Sequence, residues 1–259
     1  MANHFQMEAQ HADLLALRHP ESTPVPFLSS PAFAEWTKPN GDVWLLWADG
    51  APGTDKSVLA ASVVEELRRL HADDPTIGIA YVYCSHRSAD GAHAVSTAND
   101  VFACLGLQML RQAESLLPPS RRDWCHHAAM SLSVEHHMYE NTGWVCMKLD
   151  EFCTTFERAY LVVDGLDCLS AEQAASVVAL LEGRNINLDF DSMKKGVYFD
   201  GERMKAFVTS TPECYTEHKM PQRSVRQAYR ELDNKVDAGI ADARSGESKD
   251  TTNNTQQEA

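Results

Sequence analysis

The chain lacks the features that mark several large classes of protein. None of its apolar runs approaches the roughly 20 residues that a membrane-spanning helix requires, and residues 1–10 lack the basic and apolar regions of a signal peptide. Basic residues number 23 against 37 acidic ones, and the resulting net charge of −14 argues against nonspecific binding of nucleic acids. These absences predict a protein of the cytoplasm that binds neither membranes nor nucleic acids.

Cysteine pairs with the spacing of a structural metal site are also missing. The seven cysteines are scattered and odd in number, which favours reduced thiols in an intracellular compartment over a disulfide framework. The nearest approach to a ligand cluster is Cys125-His126-His127 followed by His136-His137. Adjacent histidines on a polar stretch are usually solvated, and structural zinc needs four ligands at defined spacing. We therefore predict no zinc site.

What the chain does contain is a near match to a phosphate-binding loop between Gly50 and Ser57. The pattern is Gly, four free positions, then Gly-Lys-Ser/Thr, and here Asp55 stands where the last Gly belongs. A short apolar run, Val43–Trp47, precedes the loop, as in a buried strand of a parallel sheet. Apolar residues at helical spacing follow it, namely Leu59, Val63, Leu67 and Leu70. The sequence thus predicts a strand, a turn and a helix.

In that arrangement, backbone N–H groups and the start of a helix converge on an anion. Lys56 would reach the β- and γ-phosphates of a nucleotide, and the Ser57 hydroxyl would bind Mg²⁺. The predicted nucleotide-binding residues are Gly50, Ala51, Pro52, Gly53, Thr54, Asp55, Lys56, Ser57 and Val58. A chance Gly/Pro turn between a strand and a helix is the alternative that the loop alone leaves open.

Two further strand ends carry polar residues in the order that such a site needs. Tyr160–Asp164 is a second buried-strand run ending in an acid, and Asp164 is the predicted partner of Ser57 at Mg²⁺, directly or through water. Asp167 follows shortly after and is the one candidate for a catalytic role. A third run, Met204–Val208, ends in the polar stretch Thr209–Glu213, which is expected near the γ-phosphate because ligands of open α/β sheets bind at the carboxyl ends of strands.

Together these stretches resemble the NACHT-type NTPase domain of fungal STAND proteins, a group that includes nephrocystin-type N-terminal domains. The resemblance spans roughly residues 28 to 215 and rests on Phe33–Trp36, Leu46–Ser57, Tyr81–Cys84, Asp100–Leu110, Tyr160–Asp167 and Phe207–Glu213. It implies a three-layer P-loop α/β fold with a mostly parallel sheet. It also implies that the module binds ATP or GTP with Mg²⁺ and switches an attached sensor and effector, with a protein partner or self-association involved.

Three positions depart from the family pattern. Besides Asp55 in the loop, Cys168 replaces the acid that acts as general base, and Thr211 replaces an Arg at the end of the third strand. These changes imply a weak or absent hydrolytic activity, at most that of a slow nucleoside-triphosphatase. Two other readings stay open: a pseudo-NTPase that binds partners without nucleotide, and a P-loop phosphotransferase acting on a small molecule. The phosphotransferase is the weaker alternative, because the strand end Asp164–Asp167 followed by Thr-Ser-x-Pro resembles STAND proteins rather than nucleotide kinases.

The chain divides into four predicted regions. Residues 1–27 form an N-terminal helix and a Pro-rich connector, and residues 28–215 form the NACHT-like core. A C-terminal helix over 216–232 precedes an acidic tail, 233–259, with too few large apolar residues to fold. Because no further apolar run follows residue 215, the expected sheet has four parallel strands, one bare edge and no lid, as in a domain incomplete at its C-terminal side.

Overall fold

The computed structural model describes residues 2–18, 24–85, 95–118, 142–181, 203–217 and 224–228. The helices are α1 Ala2–Ala16, α2 Pro24–Leu28, α3 Pro31–Thr37, α4 Lys56–Leu70, α5 Ala98–Glu114, α6 Thr142–Cys153, α7 Ala171–Leu181 and α8 Pro212–Glu217. The strands are β1 Leu45–Asp49, β2 Ile77–Tyr83, β3 Arg158–Asp164, β4 Met204–Ser210 and β5 Ser224–Ala228, with a 3-10 turn at Leu166–Cys168. None of the helices in these ranges is both long and apolar enough to cross a bilayer.

The strands form one parallel sheet in the order β2-β3-β4-β1-β5. All five residues of β1 and all seven of β4 are buried, as the continuous apolar runs predict for central strands covered on both faces. The P-loop α/β fold with a parallel sheet is therefore confirmed. Because β4 lies between β1 and β3, the carboxyl ends of these three strands meet at one edge of the sheet.

One predicted element is wrong. The sequence predicts a helix over 216–232 and a sheet of four parallel strands with one bare edge. Instead, α8 ends at Glu217 and β5 pairs in parallel with β1 from Leu45↔Ser224 to Asp49↔Ala228. Strand formation at an edge is decided by the partner that the sheet offers, so the short sequence Ser-Val-Arg-Gln-Ala carries little local signal. The predicted tail, 233–259, lies outside the described residues.

Helices cover both faces of the sheet. On one face the ring of Phe207 packs against Phe27 of α2 and Trp36 of α3, with ring centroids 5.8 and 6.0 Å apart. On the other face Gly78 leaves room for α5 and for the segment between α6 and β3: an added Cβ would lie 2.8 Å from both the sulfur of Met109 and the ring of Phe156. The two sets of helices and the sheet make the three layers of the fold.

The outer edge of β2 is closed by two glutamines one helical turn apart on α5. The Gln108 amide accepts a hydrogen bond from the Tyr81 N–H at 3.1 Å and donates one to the Tyr81 carbonyl at 2.7 Å. Gln112 makes the same pair with the backbone of Ile79, at 3.0 and 2.8 Å. The side-chain amides thus take the place of a neighbouring strand, so this edge has no open backbone groups at these two residues.

The amino ends of β3 and β4 hold two cations, the half-buried Arg158 and the buried Lys205. The Lys205 side chain is 2% exposed, and its ammonium group donates to the carbonyls of Val43 at 2.9 Å and Gly41 at 3.3 Å. Burial lowers the pKa of Lys205 to about 8, and the nearby Arg158 charge adds to this. Arg158 donates to the carbonyl of Pro39. Both cations therefore bind the segment between α3 and β1 through backbone carbonyls.

Candidate functional site

The predicted loop leaves the carboxyl end of β1 and turns into α4. Its first residue is fixed to the neighbouring strand, since the Gly50 N–H donates to the Ser210 carbonyl at 3.1 Å. Gly53 has a φ of +79° and no heavy atom lies within 4 Å of the position its Cβ would occupy. The crest of the loop is therefore open, and the backbone there can approach a ligand closely.

Lys56 spans the inside of the loop. Its ammonium group donates to the carbonyls of Gly50 and Ala51, both at 2.9 Å. The Thr54 hydroxyl also donates to the Ala51 carbonyl, at 2.7 Å. A positive charge is thus held where the sequence predicts the phosphates to bind, and a phosphate oxygen could replace a carbonyl as acceptor because both accept from the same ammonium group.

Asp164 lies at the carboxyl end of β3, 3% exposed, and its carboxylate is bound by two hydroxyls. The Thr209 hydroxyl donates to it at 2.5 Å, and the Ser57 hydroxyl is its second donor. Burial raises the pKa of Asp164, although both hydrogen bonds and the nearby Lys56 ammonium oppose the increase. A serine hydroxyl and a carboxylate in contact are hard oxygen ligands of the kind that Mg²⁺ prefers, so these two residues fit the predicted metal site.

The end of β4 organises the turn that follows Asp164. Thr209 accepts from the Gly165 N–H at 2.9 Å while it donates to Asp164, and the Thr211 N–H donates to the Asp167 carboxylate at 3.0 Å. Gly165 has a φ of +72°, and a Cβ there would lie 3.2 Å from the Cys84 carbonyl. Asp167, the weak catalytic candidate, is therefore bound to the backbone of the strand end. The half-buried Cys168 closes the same turn, and the Cys168 N–H donates to the Gly165 carbonyl at 2.8 Å.

Asp55 occupies the position before the first residue of α4. Its φ of 49° and ψ of 27° place it in the left-handed region, which favours glycine, and it is the one non-glycine residue with positive φ in the described ranges. Asp tolerates this region better than most residues do. The side chain is exposed and makes no capping hydrogen bond. At the position where the loop pattern has glycine, Asp55 thus adopts backbone dihedrals that glycine accepts without strain.

The structure brings Lys56, Ser57 and Asp164 together, as the sequence predicts. The remaining loop residues differ in their surroundings: Pro52 and Gly53 are exposed, whereas the side chain of Val58 is 7% exposed and packs into the core from the first turn of α4. Sequence reasoning missed the specific role of Thr209, which clamps both Asp164 and Gly165. A hydroxyl residue at the tip of an apolar strand was its signal.

Asp49 was also missed. It is the last residue of β1, immediately before the loop, and it is 2% exposed. The apolar run Val43–Trp47 predicts a strand that ends before Asp49, because an acidic residue interrupts the apolar pattern. The histidine pairs at 126–127 and 136–137 lie outside the described residues, and within the described ranges no group of three or more His, Cys, Asp and Glu could hold a metal ion.

A comparison with protein families finds one match. The family model described as nephrocystin 3, N-terminal, matches residues 23–210, well over half of the chain. The matched region runs from the beginning of α2 to Ser210 at the end of β4 and therefore contains the loop, Asp164 and Thr209. No curated protein matches the chain.

Proposed function

The chain belongs to the family of nephrocystin 3 N-terminal domains, and from this premise we propose that it is a nucleotide-binding switch module. It binds ATP or GTP together with Mg²⁺ and hydrolyses the nucleotide slowly or not at all. Its state is passed to a protein partner or to a second copy of the chain. The proposed location is the cytoplasm, which the odd number and scattered positions of the cysteines support.

One arrangement carries the proposal: the Lys56 ammonium inside the loop, next to the hydrogen-bonded pair of Ser57 and Asp164. Lys56 would bind phosphate oxygens, and the open crest at Gly53 would let backbone N–H groups approach them. When bound, Mg²⁺ supplies a cation that neutralises phosphate charge, and Ser57 and Asp164 would hold it. The Thr209 hydroxyl keeps the Asp164 carboxylate in place.

Slow hydrolysis follows from the groups at the carboxyl end of β3. A carboxylate that activates or orients water needs a lone pair directed at the water. Asp167 accepts from the Thr211 N–H, and Cys168, which occupies the position of the general base in the resemblance, carries a thiol rather than a carboxylate. This chain therefore holds a nucleotide through its loop with little capacity to activate water.

A second candidate function has its own support. The Lys56 ammonium already donates two of its three hydrogens to loop carbonyls, and Asp55 adds a carboxylate at the start of α4. A pseudo-NTPase would also have a loop whose lysine binds the loop's own carbonyls and whose aspartate repels phosphate. In that case the domain keeps the fold as a scaffold for partner binding and takes no nucleotide.

A thermal-shift titration separates the two functions. We expect Mg·ATP or Mg·GTP to raise the Tm of the wild type, with Mg²⁺ alone as reference. At a hundredfold excess over Kd the stabilisation is about 2.7 kcal/mol, which corresponds to roughly 5–10 °C for a domain of this size.

Lys56→Ala should remove the shift, while Lys38→Ala, which removes an exposed lysine paired with Glu35, should leave it intact. The pseudo-NTPase function is the correct one if the wild type shows no shift at millimolar nucleotide.

A further inference from the structure

His11 is a buried polar side chain with no part in the loop. It lies on α1, is 3% exposed, and bridges two elements of the core. Its Nδ1 is 2.6 Å from the Tyr83 hydroxyl on β2, and its Nε2 is 3.0 Å from the Glu65 carboxylate on α4. Burying an imidazole is unfavourable unless both nitrogens are satisfied, so both partners together hold α1 in its position.

The directions of these two hydrogen bonds follow from the groups involved. Burial opposes ionisation of Glu65, but hydrogen bonds from His11 and Arg68 outweigh it and lower the pKa of Glu65. An ionised carboxylate only accepts, so Nε2 of His11 carries the hydrogen, and in the neutral ring Nδ1 accepts from the Tyr83 hydroxyl. Burial, with the nearby Asp164 charge, raises the pKa of Tyr83, which keeps the phenol a donor.

Tyr83 is also the neighbour of Asp164 in the sheet. The two residues are paired in the parallel register of β2 and β3, so their side chains stand on the same face. Tyr83 is 1% exposed and Asp164 is 3% exposed. Directly after Tyr83, the Cys84 N–H donates to the Asp164 carbonyl at 2.9 Å. The position of the β2 end therefore determines how the backbone and the side chain of Asp164 are enclosed.

Helix α1 makes a further contact with α4. Glu8 lies 3.6 Å from Arg68, and the Arg68 guanidinium lies over the Tyr81 ring, 5.3 Å from its centroid. Tyr81 also stacks near His11, with ring centroids 4.7 Å apart. Because α4 begins with Lys56 and Ser57, α1 contacts both the helix that presents the loop residues and the strand that encloses Asp164.

We propose that Tyr83 is a positioning residue of the Asp164 site and that α1 holds it in place through His11. Docking of α1 then keeps the end of β2 closed against Asp164. Where the proposed nucleotide-binding function holds, coupling is reciprocal: a ligand that binds the ordered Asp164 site also favours docked α1. The positioning role of Tyr83 itself does not depend on that function.

Amide hydrogen exchange on the full chain tests the positioning role. The reporters are the amides of Cys84 and Gly165, which donate to the Asp164 carbonyl and to the Thr209 hydroxyl. The internal control is the Ala159 amide at the opposite end of β3, which donates to the Arg203 carbonyl at 2.8 Å. Global destabilisation accelerates exchange at all three amides, whereas local opening at Asp164 accelerates only the reporters.

We expect Tyr83→Phe, which keeps the buried ring, to accelerate exchange at the two reporters about fivefold, because it breaks one buried hydrogen bond. His11→Ala breaks the same bond and also the one to Glu65, so it should accelerate exchange at least as much. The double variant should show no more acceleration than His11→Ala, since the bond to Tyr83 is already lost there. His11→Gln, which keeps a donor and an acceptor, should recover part of the protection. Arg69→Ala, which breaks an exposed pair with Glu66 on α4, should change nothing.

Unchanged reporter exchange in Tyr83→Phe and His11→Ala overturns the proposal, and so does an equal acceleration at Ala159. A second arm measures exchange of the α1 amides of the wild type with and without Mg·ATP. Slower exchange with nucleotide supports the coupling, and unchanged exchange despite a nucleotide-induced rise in Tm overturns it. A wild type without any rise in Tm counts against the proposed function, and the reporter amides then decide the positioning role by themselves.

Discussion

The two ends of the parallel sheet bury polar groups of opposite charge and satisfy them in different ways. At the amino ends of β3 and β4, Lys205 and Arg158 donate to backbone carbonyls of the segment before β1. At the carboxyl ends of β1 and β3, Asp49 and Asp164 are buried, and Asp164 is bound by the hydroxyls of Ser57 and Thr209. The charged groups at the amino end are cations bound to backbone carbonyls, whereas the carboxyl end holds the acid Asp164, which is bound to side-chain hydroxyls.

This difference separates stability from function. Lys205 is 2% exposed, whereas Lys56 is half-buried. The Lys205 ammonium can leave its two carbonyls only if the surrounding core opens, so the amino end stabilises the fold. Hydroxyls and the Lys56 ammonium can exchange partners by rotating side chains, so the carboxyl end can accept a ligand. The amino end also carries a desolvation cost, because buried side-chain nitrogens of Trp36, His71 and Arg158 have no hydrogen-bond partner among the described residues. Substitutions at the two ends should therefore have opposite effects on Tm and on nucleotide affinity.

The largest effect is expected from Asp164→Asn. It removes the ionised oxygen that would hold Mg²⁺, and we expect Mg·nucleotide affinity to fall at least about a hundredfold, near 3 kcal/mol. The fold should be more stable, since burial raises the pKa of Asp164. A folded-state pKa above the unfolded one means that stability is full at low pH and declines as pH rises through the folded pKa, and the neutral amide avoids this loss.

Calorimetric titration and a melting curve of the same sample check both halves of the Asp164 prediction. Asp73→Asn, an exposed acid in the turn after α4, is the control and should change neither quantity. A lower Tm with unchanged affinity would make Asp164 a structural residue like those at the amino end.

Lys205→Ala should have the reverse profile. It deletes a buried side chain and leaves the carbonyls of Gly41 and Val43 without their donor, so we expect the free energy of unfolding to fall by about 2–4 kcal/mol. The nucleotide-induced change in Tm should remain that of the wild type, because the site lies at the other end of the sheet. Urea unfolding with and without Mg·ATP measures both, and a lost nucleotide response in a folded variant would show that the two ends are not independent.

Asp55→Gly tests how a single loop residue at the carboxyl end affects nucleotide affinity and stability. Glycine relieves the left-handed strain at φ 49° and removes a negative charge near the bound phosphates. We expect Mg·ATP to bind at least about tenfold more tightly, with a gain in stability of about 1 kcal/mol or less.

Asp55→Asn removes the charge and keeps the Cβ, so it shows which factor dominates. Equal or weaker affinity of the Gly variant in an isothermal titration would mean that the loop accommodates Asp55 without cost.

The last prediction concerns the pH dependence of stability that Lys205 causes. Its folded pKa of about 8 lies below the unfolded value of 10.5. The unfolded chain therefore binds more protons in between, and stability rises as pH increases from about 8 to about 10.5. The difference in unfolding free energy between the wild type and Lys205→Met should show this slope, because buried thiols and phenols contribute equally to both proteins. A difference that stays constant over that range contradicts the prediction.

The central strands could be predicted because burial on both faces leaves a continuous apolar run. Val43–Trp47, Tyr160–Asp164 and Met204–Val208 each identify a real strand, although β1 begins and ends two residues later and β3 and β4 are two residues longer. In β1 and β4 the extra residues lie at the carboxyl ends and include the polar residues Asp49, Thr209 and Ser210 on the proposed ligand side of the sheet. In β3 they are Arg158 and Ala159 at the amino end. Apolar periodicity therefore loses its signal at the residues that matter for binding.

Contacts between distant elements could not be predicted in the same way. The fifth strand depends on the partner that β1 provides, and a five-residue polar segment carries no pattern that distinguishes a strand from a helix. The bond between His11 and Tyr83 joins residues 72 positions apart, and nothing local marks either residue as its partner. Lys56, Ser57 and Asp164 could be predicted because the loop has a fixed residue spacing and Asp164 ends an apolar run that follows the loop in the chain.

The glutamines that close the edge of β2 have a consequence for assembly. A strand from another molecule can be added only where backbone groups are open. With Gln108 and Gln112 bound to the backbones of Tyr81 and Ile79, a strand from another molecule cannot pair with these two residues. The middle of the β2 edge therefore cannot serve as the starting point for a second sheet or a fibre.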